Sequence, residues 1–478
     1  MTPQAADVRA VRVALEPGPA IDPFSVAGAD GFLFRSGSRT RVGLGVALTI
    51  DLPRGLESAD DVRAVSEVLA SIATVDHVDG GDPSEPGAQG GNGVLAFGAL
   101  PFDRSAPTSL VVPEVVYGSD AAGQEWITLI GPGRPVIPSG PGGLRSWLAR
   151  RSAHSRHGAA SRAASGAVAG AGSGSASGAD RSGPSPLIVP RSSDDAFRAA
   201  VAEALRAIGK GELAKVVLAR RVDVTMGRAI AVTELLRRWH GLEPNCALFS
   251  LPTTEGQFVG ASPELLIERS GPHLRSRPLA GTAGRSASDA SGAHPGSLLS
   301  SSKDGYEHRL VVEAIDDVLR PLCGELEVPA RPGLVHLRSI THLGTPITGT
   351  LALRPDGTVP SALELVAALH PTPAVGGVPR RAALGLIERL EPDPRGRFAG
   401  PVGYMDASGD GVWMVGIRSM SVRGATARLA AGVGIVEGSE PERELRETNL
   451  KLASVFDALA PGLAFSTSES PARHEAVS

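Results

Sequence analysis

The sequence predicts an α+β fold in which antiparallel strands alternate with helices. Two strand-like stretches surround a Ser-Gly turn between residues 31 and 50, and a second strand pair is expected at 399–406 and 411–421. Segments with apolar residues three and four positions apart, which is helical spacing, lie between such pairs. Strands that arrive in antiparallel pairs with helices between them are typical of α+β proteins and not of doubly wound sheets.

The N-terminal region has strand-forming segments but no motif that indicates chemistry. Residues 1–25 are rich in proline and are expected to be loose. Residues 26–150 are expected to form a sheet with a helix at 59–73 and a short helix at 142–151. The next stretch, 151–187, is dominated by Gly, Ala and Ser, which predicts a flexible excursion from the fold.

Ordered structure is expected to resume at residue 188 and to continue to 465, before a disordered tail at 466–478. The segment "SSDDAFRAAVAEALRAIGKGEL" has an Asp-rich start, helical apolar spacing and a stop at Gly211, so it predicts a helix that leads into the next strand. Further helices are predicted at 231–240, 303–322 and 361–369, and the region closes with a strand, a glycine turn and a long helix.

Composition excludes several classes of function. The formal net charge of −4 and an aromatic content of 4% argue against a nucleic-acid groove or a membrane-surface patch. Apolar runs are interrupted well before the roughly 18 residues that a membrane-spanning helix needs. Cys246 and Cys323 have no metal-type spacing, and the N-terminus has no apolar signal core. We therefore expect a reduced, cytoplasmic protein.

The stretch "GELAKVVLARR", residues 211–221, places a lysine inside an apolar run. The chain has only four lysines among its 47 basic residues, namely Lys210, Lys215, Lys303 and Lys451. A buried lysine can lose its proton near neutral pH, whereas an arginine cannot, so Lys215 is a candidate base. A lysine whose amine reaches solvent from the edge of a strand is the alternative, and this stretch alone leaves both open.

Two pairs of acidic residues are three positions apart on predicted helices. They are Asp304 with Glu307 and Glu444 with Glu447. At this spacing both carboxylates of a pair lie on one helix face. Four carboxylates brought together would repel unless a cation lay between them, and an all-oxygen cluster suits Mg²⁺. A solvated helix face is the alternative, and it is the commoner explanation of such pairs.

The segment "LAAGVGIVEGSEPERE" indicates a place where an anion can bind. Its glycines offer successive backbone amides between a predicted strand and a helix start. A dinucleotide-binding turn is excluded, because no second strand and no acidic ribose-binding residue follow about 20 positions on. An anion cradle and a tight packing turn stay open. Lys451 follows Glu447 by one helical turn and could reach the same pocket.

Four more side chains are candidates for a site. Glu264 follows a proline after a strand, and its uncharged surroundings could raise its pKa toward that of a general acid. A glutamate in the first turn of a helix is the alternative. Arg418 lies between apolar residues on a predicted strand, where a buried arginine needs an anionic partner. His342 and His370 fit either a site or a structural role.

These residues, in this order, resemble the chorismate-utilising enzymes: isochorismate synthases, salicylate synthases, and the large subunits of anthranilate and aminodeoxychorismate synthases. The similarity covers about residues 192–463. It implies two large antiparallel sheets packed together with helices outside, and a site in a cleft of the C-terminal part. The matching blocks are "AKVVLARR", "FVGASPELL", "PLAGT", "SSKDGYEH", "HLGTPITG", "HPTPAVGG", "VGIRS" and "AGVGIVEGSEPERELRETNLKL".

The resemblance also implies roles for the candidate residues. Lys215 matches the lysine that activates the water attacking C2 of chorismate, and Glu264 matches the acid that protonates the departing C4 hydroxyl. Glu307 and Glu447 match direct ligands of Mg²⁺, and Asp304 and Glu444 match the acids that hold its waters. Substrate contacts are implied for Gly281, Thr282, His342, Ala374, Arg418, Gly432, Gly434 and Lys451.

Three positions separate the members of the family. Anthranilate synthases usually lack a lysine at the position of Lys215, and aminodeoxychorismate synthases carry a nucleophilic lysine where this chain has Ala280. Members that eliminate pyruvate carry threonine where this chain has Ala374. The resemblance thus implies an isochorismate synthase that supplies menaquinone or siderophore biosynthesis, without a glutaminase subunit and as a monomer. A salicylate synthase or a non-catalytic chorismate-binding protein is the alternative.

Overall fold

The computed structural model describes five stretches of the chain. The predicted tail at 466–478 lies outside these stretches, and so does most of the predicted excursion at 151–187. No helix within the described stretches is both long enough and apolar enough to cross a membrane. The described residues are 7–77, 93–138, 143–151, 185–284 and 295–465.

Most helices lie close to their predicted positions, although the helix at Pro23–Ala27 was not predicted. Ser193 caps the N-terminus of the helix before Lys215 by accepting the N–H of Ala196, and Ser361 and Glu364 form a capping box on a later helix. The described α-helices are α1 (Pro23–Ala27), α2 (Ala59–Ser71), α3 (143–151), α4 (Asp194–Gly209), α5 (Val232–Leu242), α6 (Ser302–Leu319), α7 (Ala362–Leu369), α8 (Arg380–Leu390) and α9 (Pro441–Leu459).

The described strands form a larger sheet of thirteen strands, a smaller sheet of nine and a short sheet of three. The larger sheet has the order β10 (Leu187–Pro190), β11 (Lys215–Thr225), β25 (Thr426–Ile435), β24 (Ser419–Arg423), β13 (Gly256–Ser262), β12 (Ala247–Thr253), β2 (Phe32–Ser36), β3 (Arg39–Leu44), β8 (Val115–Ser119), β9 (Glu125–Pro132), β1 (Val8–Ala14) and β5 (Ala73–His77), with β21 (Gly377–Val378) beside β11.

The other two sheets are also antiparallel. The nine-stranded sheet has the order β17 (Cys323–Glu327), β20 (Ile347–Leu351), β15 (His273–Arg277), β14 (Leu265–Ser270), β23 (Gly411–Val415), β22 (Pro401–Asp406), β6 (Leu95–Ala99), β7 (Thr108–Val112) and β4 (Leu48–Leu52). The short sheet has the order β16 (Leu279–Gly284), β19 (Ile340–Gly344) and β18 (Gly333–His336). The predicted α+β fold with two large antiparallel sheets is confirmed, although β1 pairs with β5 in parallel.

The N-terminal region supplies strands to both large sheets. In the larger sheet Phe34 of β2 lies opposite Phe249 of β12, and in the smaller one Gly98 of β6 lies opposite Gly403 of β22. The expectation of a loose chain up to residue 25 is wrong for β1, because this strand pairs with β9 and β5 and its residues Val8, Ala10 and Val11 are buried. Residues so far apart in sequence therefore share one core.

Two hydrophobic cores hold the layers together. Phe34 of the larger sheet packs edge to face on Tyr404 of the smaller sheet, with ring centroids 5.3 Å apart. A second core joins α5 and α9 to the larger sheet through Trp239, Val259 and Phe456, each at most 2% exposed. Packing of α9 against β25 places the acidic face of that helix beside the strand that pairs with β11.

Candidate active site

A cleft of about 710 Å³ opens beside β11 and β25, and every predicted substrate-contact residue lines it. Glu264, Glu307 and Glu447 line the same cleft. Lys215 is not part of the lining, but its Nζ lies 3.0 Å from the Oε1 atom of Glu307, which is. The substrate-contact residues in the lining are Gly281, Thr282, His342, Ala374, Arg418, Gly432, Gly434 and Lys451.

Lys215 is the first residue of β11, and its side chain is 0% exposed. The alternative of an amine that reaches solvent from a strand edge is therefore wrong. Although Nζ is within ion-pair distance of Glu307, it has no aligned hydrogen-bond partner among the described residues. The contact with Glu307 is thus electrostatic and is not an aligned hydrogen bond. The amine can therefore still form a hydrogen bond with another molecule.

Gly432 and Gly434 are positions inside β25, not in a turn. Gly434 lies opposite Val217 of β11, and a Cβ atom at Gly434 would be 2.1 Å from Oε1 of Glu307. The same Cβ would be 3.1 Å from Cε of Lys215. The expected place of these two glycines between strand and helix is therefore wrong, because both belong to the strand. At Gly434 the missing side chain allows Lys215 and Glu307 to approach each other across the strand.

Glu264 lies in the connection between β13 and β14, so the alternative of a helix first turn is wrong. Its side chain is buried, with the whole residue 3% exposed. Burial raises the pKa of Glu264 to about 7, even though the N–H of Leu279 and the charges of Lys215 and Lys451 act to lower it. A carboxyl group with a pKa near neutrality can both hold and release a proton at physiological pH.

Helices α6 and α9 bring the four predicted acidic residues together at one end of the cleft. Asp304, Glu307 and Glu444 are 5%, 8% and 0% exposed. Burial raises the pKa of Asp304, and burial together with the charge of Glu447 raises the pKa of Glu444 to about 7. No three His, Cys, Asp or Glu side chains within the described stretches have the arrangement of a metal site as they stand. The four carboxylates are nevertheless close enough to repel one another.

Lysines form ion pairs with three of these four carboxylates. Besides the pair of Lys215 with Glu307, Nζ of Lys451 lies 2.7 Å from Glu447 and Nζ of Lys303 lies 2.5 Å from Glu444. Three of the four lysines of the chain therefore belong to the site. Lys303 is a site residue to which the sequence assigned no role. The signal was that lysine is rare in this chain. Its partner Glu444 is 141 positions away, so local spacing could not identify it.

Replacement of Lys303 by methionine is expected to destabilise the protein by about 3–5 kcal/mol, because it leaves Glu444 buried without a cation. The check is the free energy of unfolding in urea at pH 8. The matched control is Lys210→Met, since the Lys210 side chain is 71% exposed and its amine is 3.9 Å from Glu212. That change should alter stability by no more than about 0.5 kcal/mol. Equal stability of both variants would contradict the role of Lys303.

Arg418 and His342 form the side of the cleft that suits an anion. Burial lowers the pKa of His342 to about 3, so its ring is neutral, with Nδ1 3.1 Å from both Thr282 Oγ1 and the Gly281 carbonyl oxygen. Arg418 donates to the Ser454 hydroxyl and lies 3.5 Å from Nε2 of His342. No described carboxylate is within ion-pair distance of Arg418. Its guanidinium is therefore available to an anionic substrate.

His370 has a structural role and Ala374 lines the cleft. Nε2 of His370 bonds the carbonyl oxygen of Phe102 at 2.9 Å, and the two rings pack edge to face with centroids 5.9 Å apart. This side chain is buried away from the cleft lining, which resolves the two possibilities that the sequence left open.

Ala374 lies in the connection between α7 and β21 and presents only a methyl group to the cleft.

Comparison with known proteins agrees with this geometry. A sequence model of the family described as chorismate binding enzyme matches residues 177–460. MenF of Mycobacterium tuberculosis is 34% identical over 447 residues, 91% of this chain and 96% of that protein. The isochorismate synthase DhbC of Bacillus subtilis is 41% identical over 279 residues, 57% of this chain and 69% of that protein. The crystal structure of DhbC from Bacillus anthracis matches with a TM-score of 0.67 at 30% identity, covering 91% of this chain and 96% of that one. This chain belongs to the family of chorismate binding enzymes.

Proposed function

We propose that this chain is an isochorismate synthase, which converts chorismate to isochorismate. The observation that carries the proposal is that Glu264, a buried glutamate of near-neutral pKa, lines the cleft, and that the buried amine of Lys215 lies 3.0 Å from Glu307 of the same lining. Such a pair provides a base and an acid for one substrate. The similarity to DhbC of Bacillus subtilis, which is named an isochorismate synthase, supports the same reaction.

In the proposed reaction Lys215 takes a proton from water while the water oxygen bonds to C2 of the substrate ring. The ring double bonds shift, the bond between C4 and its hydroxyl oxygen breaks, and Glu264 gives its proton to the departing hydroxyl, which leaves as water. Arg418 binds a carboxylate of the substrate and fixes the ring between the two groups. Because water is the nucleophile, no subunit that supplies ammonia is needed.

The four carboxylates at the end of the cleft fit Mg²⁺. All their donor atoms are oxygens, the ligands that this ion prefers. One of them, Oε2 of Glu444, is buried and accepts no hydrogen bond from the residues that the structure describes. We propose that Glu307 and Glu447 hold the ion and that Asp304 and Glu444 hold its waters. When bound, the ion would neutralise a substrate carboxylate.

Removal of divalent ions is expected to abolish turnover. Dialysis against EDTA should lower the rate of chorismate consumption at least about 100-fold, because the substrate carboxylate would then lose the cation that neutralises it. Addition of Mg²⁺ in excess over the chelator should restore the rate. Full activity in the chelator would exclude the carboxylate cluster as a metal site.

Product analysis tests the reaction itself. The protein is incubated with chorismate and Mg²⁺, and the products are separated by chromatography. Isochorismate without pyruvate supports the proposal. We expect no elimination of pyruvate because the cleft has Ala374 where pyruvate-eliminating members have threonine. Salicylate with an equal amount of pyruvate would instead identify a salicylate synthase. Binding of chorismate without any turnover would identify a non-catalytic protein. We propose that the product supplies menaquinone or siderophore synthesis.

A further inference from the structure

A second cavity, of about 730 Å³, lies on the same face of β11 as the cleft. Alternate residues of a strand point to the same side, so the face that carries Lys215 and Val217 also carries Arg221. Arg221 lines the second cavity, roughly 20 Å along the strand from Lys215 at about 3.3 Å per residue. Ala430, which lies opposite Arg221 on β25, belongs to the lining of both spaces.

Arg221 is a buried cation that has no close partner among the residues that the structure describes. The residue is 9% exposed, and its Nη2 atom has no hydrogen-bond partner among the described residues. Its burial lowers the pKa of the guanidinium, although the charges of Glu391 and Asp393 oppose this effect. Neither carboxylate is within ion-pair distance of Arg221, because Arg395 binds Glu391 and Arg191 binds Asp393.

The other charged groups in the lining are already compensated. Their partners lie close: Arg428 is 2.8 Å from Asp223, Arg191 is 3.1 Å from Asp393, and Arg397 is 3.2 Å from Glu255. Burial of a charge is unfavourable unless an opposite charge or hydrogen bonds compensate it. Arg221 is thus the cation of this cavity that is left to bind an anion.

The walls of the cavity indicate the kind of anion. Phe258 and Phe398 line it and are 2% and 8% exposed, so an apolar body can pack beside the guanidinium. We propose that this cavity binds a cyclic or aromatic carboxylate, with its carboxylate on Arg221. Arg395 and Phe398 line both spaces, so the bound molecule also contacts the wall of the cleft.

The test is calorimetric titration of the full chain with benzoate, which needs no turnover and is therefore independent of the proposed reaction. Benzoate is expected to bind, and Arg221→Gln is expected to weaken the affinity at least tenfold. The matched control is Arg418→Gln, which removes any benzoate binding that depends on the buried arginine of the cleft and should leave the affinity of the Arg221 cavity within about twofold. Benzyl alcohol, a neutral analogue of similar shape, should bind at least tenfold more weakly than benzoate.

Three results would overturn the proposal: no benzoate binding to the unmodified chain, equal binding by Arg221→Gln, or loss of binding in Arg418→Gln alone, which would place benzoate in the cleft. Removal of an uncompensated buried charge is expected to preserve folding. If the glutamine variant nevertheless fails to fold, Arg221→Met, which has an apolar side chain of similar length, takes its place with the same expected loss. As a second readout, benzoate should lower the rate of chorismate turnover in the unmodified chain without raising KM, and this effect should be absent in the Arg221 variant.

Discussion

Replacement of Lys215 by alanine is expected to lower the turnover of chorismate by about 10²- to 10⁴-fold, the range that a positioned general base contributes. The amine is the group that would take a proton from the attacking water, and burial at 0% exposure keeps bulk water from replacing it. Chorismate binding should change little, because Arg418 and Lys451 remain in the cleft. Steady-state kinetics measures the first quantity and calorimetric titration the second.

Two comparisons separate proton transfer from charge. Lys210→Ala changes an exposed lysine of the same region and should leave turnover unaltered. Lys215→Arg keeps a positive charge beside Glu307 but cannot give up a proton near neutral pH, so it should be as inactive as the alanine variant. Activity in the arginine variant would show that Lys215 acts only through its charge. Unfolding curves of each variant confirm that the fold is intact.

Replacement of Glu264 by glutamine is expected to lower turnover by a similar factor of about 10²–10⁴, because the amide cannot protonate the departing hydroxyl. In the unmodified chain the rate should fall as the pH rises through about 7, the pKa to which burial raises Glu264. Pre-steady-state measurements across pH 6–9 would detect this loss. A rate independent of pH over that range would contradict the role of Glu264 as the acid.

The same substitution should change how stability depends on pH. The folded pKa of about 7 lies above the ordinary value of 4.5, so folding is favoured by the protonated form at low pH. That contribution is fully present below the unfolded pKa and is lost as the pH rises through the folded pKa. Relative to Glu264→Gln, the unmodified chain should therefore lose about 3 kcal/mol of unfolding free energy between pH 4 and pH 8. If the difference in unfolding free energy between the two proteins were the same at pH 4 as at pH 8, the raised pKa of Glu264 would be contradicted.

The predicted residues that line the cleft could be named from sequence, but their environments could not. The spacing of Asp304 with Glu307, and of Glu444 with Glu447, is a local property of a helix and was sufficient to place each pair on one face. Whether such a face meets solvent or another helix depends on packing. Here α6 and α9 turn their acidic faces toward the same cleft, which makes the commoner explanation of a solvated face wrong for these pairs.

The sequence by itself determined the α+β class, the approximate helix positions and the types of residue that carry the chemistry. These depend on residue spacing, capping and composition within short stretches of chain. Only the tertiary structure decided that Lys215 is fully buried against Glu307, that Lys303 neutralises Glu444, and that β1 joins the larger sheet. Each of these contacts joins residues far apart in the chain, so it follows from the order in which strands pair and helices pack, which local spacing does not specify.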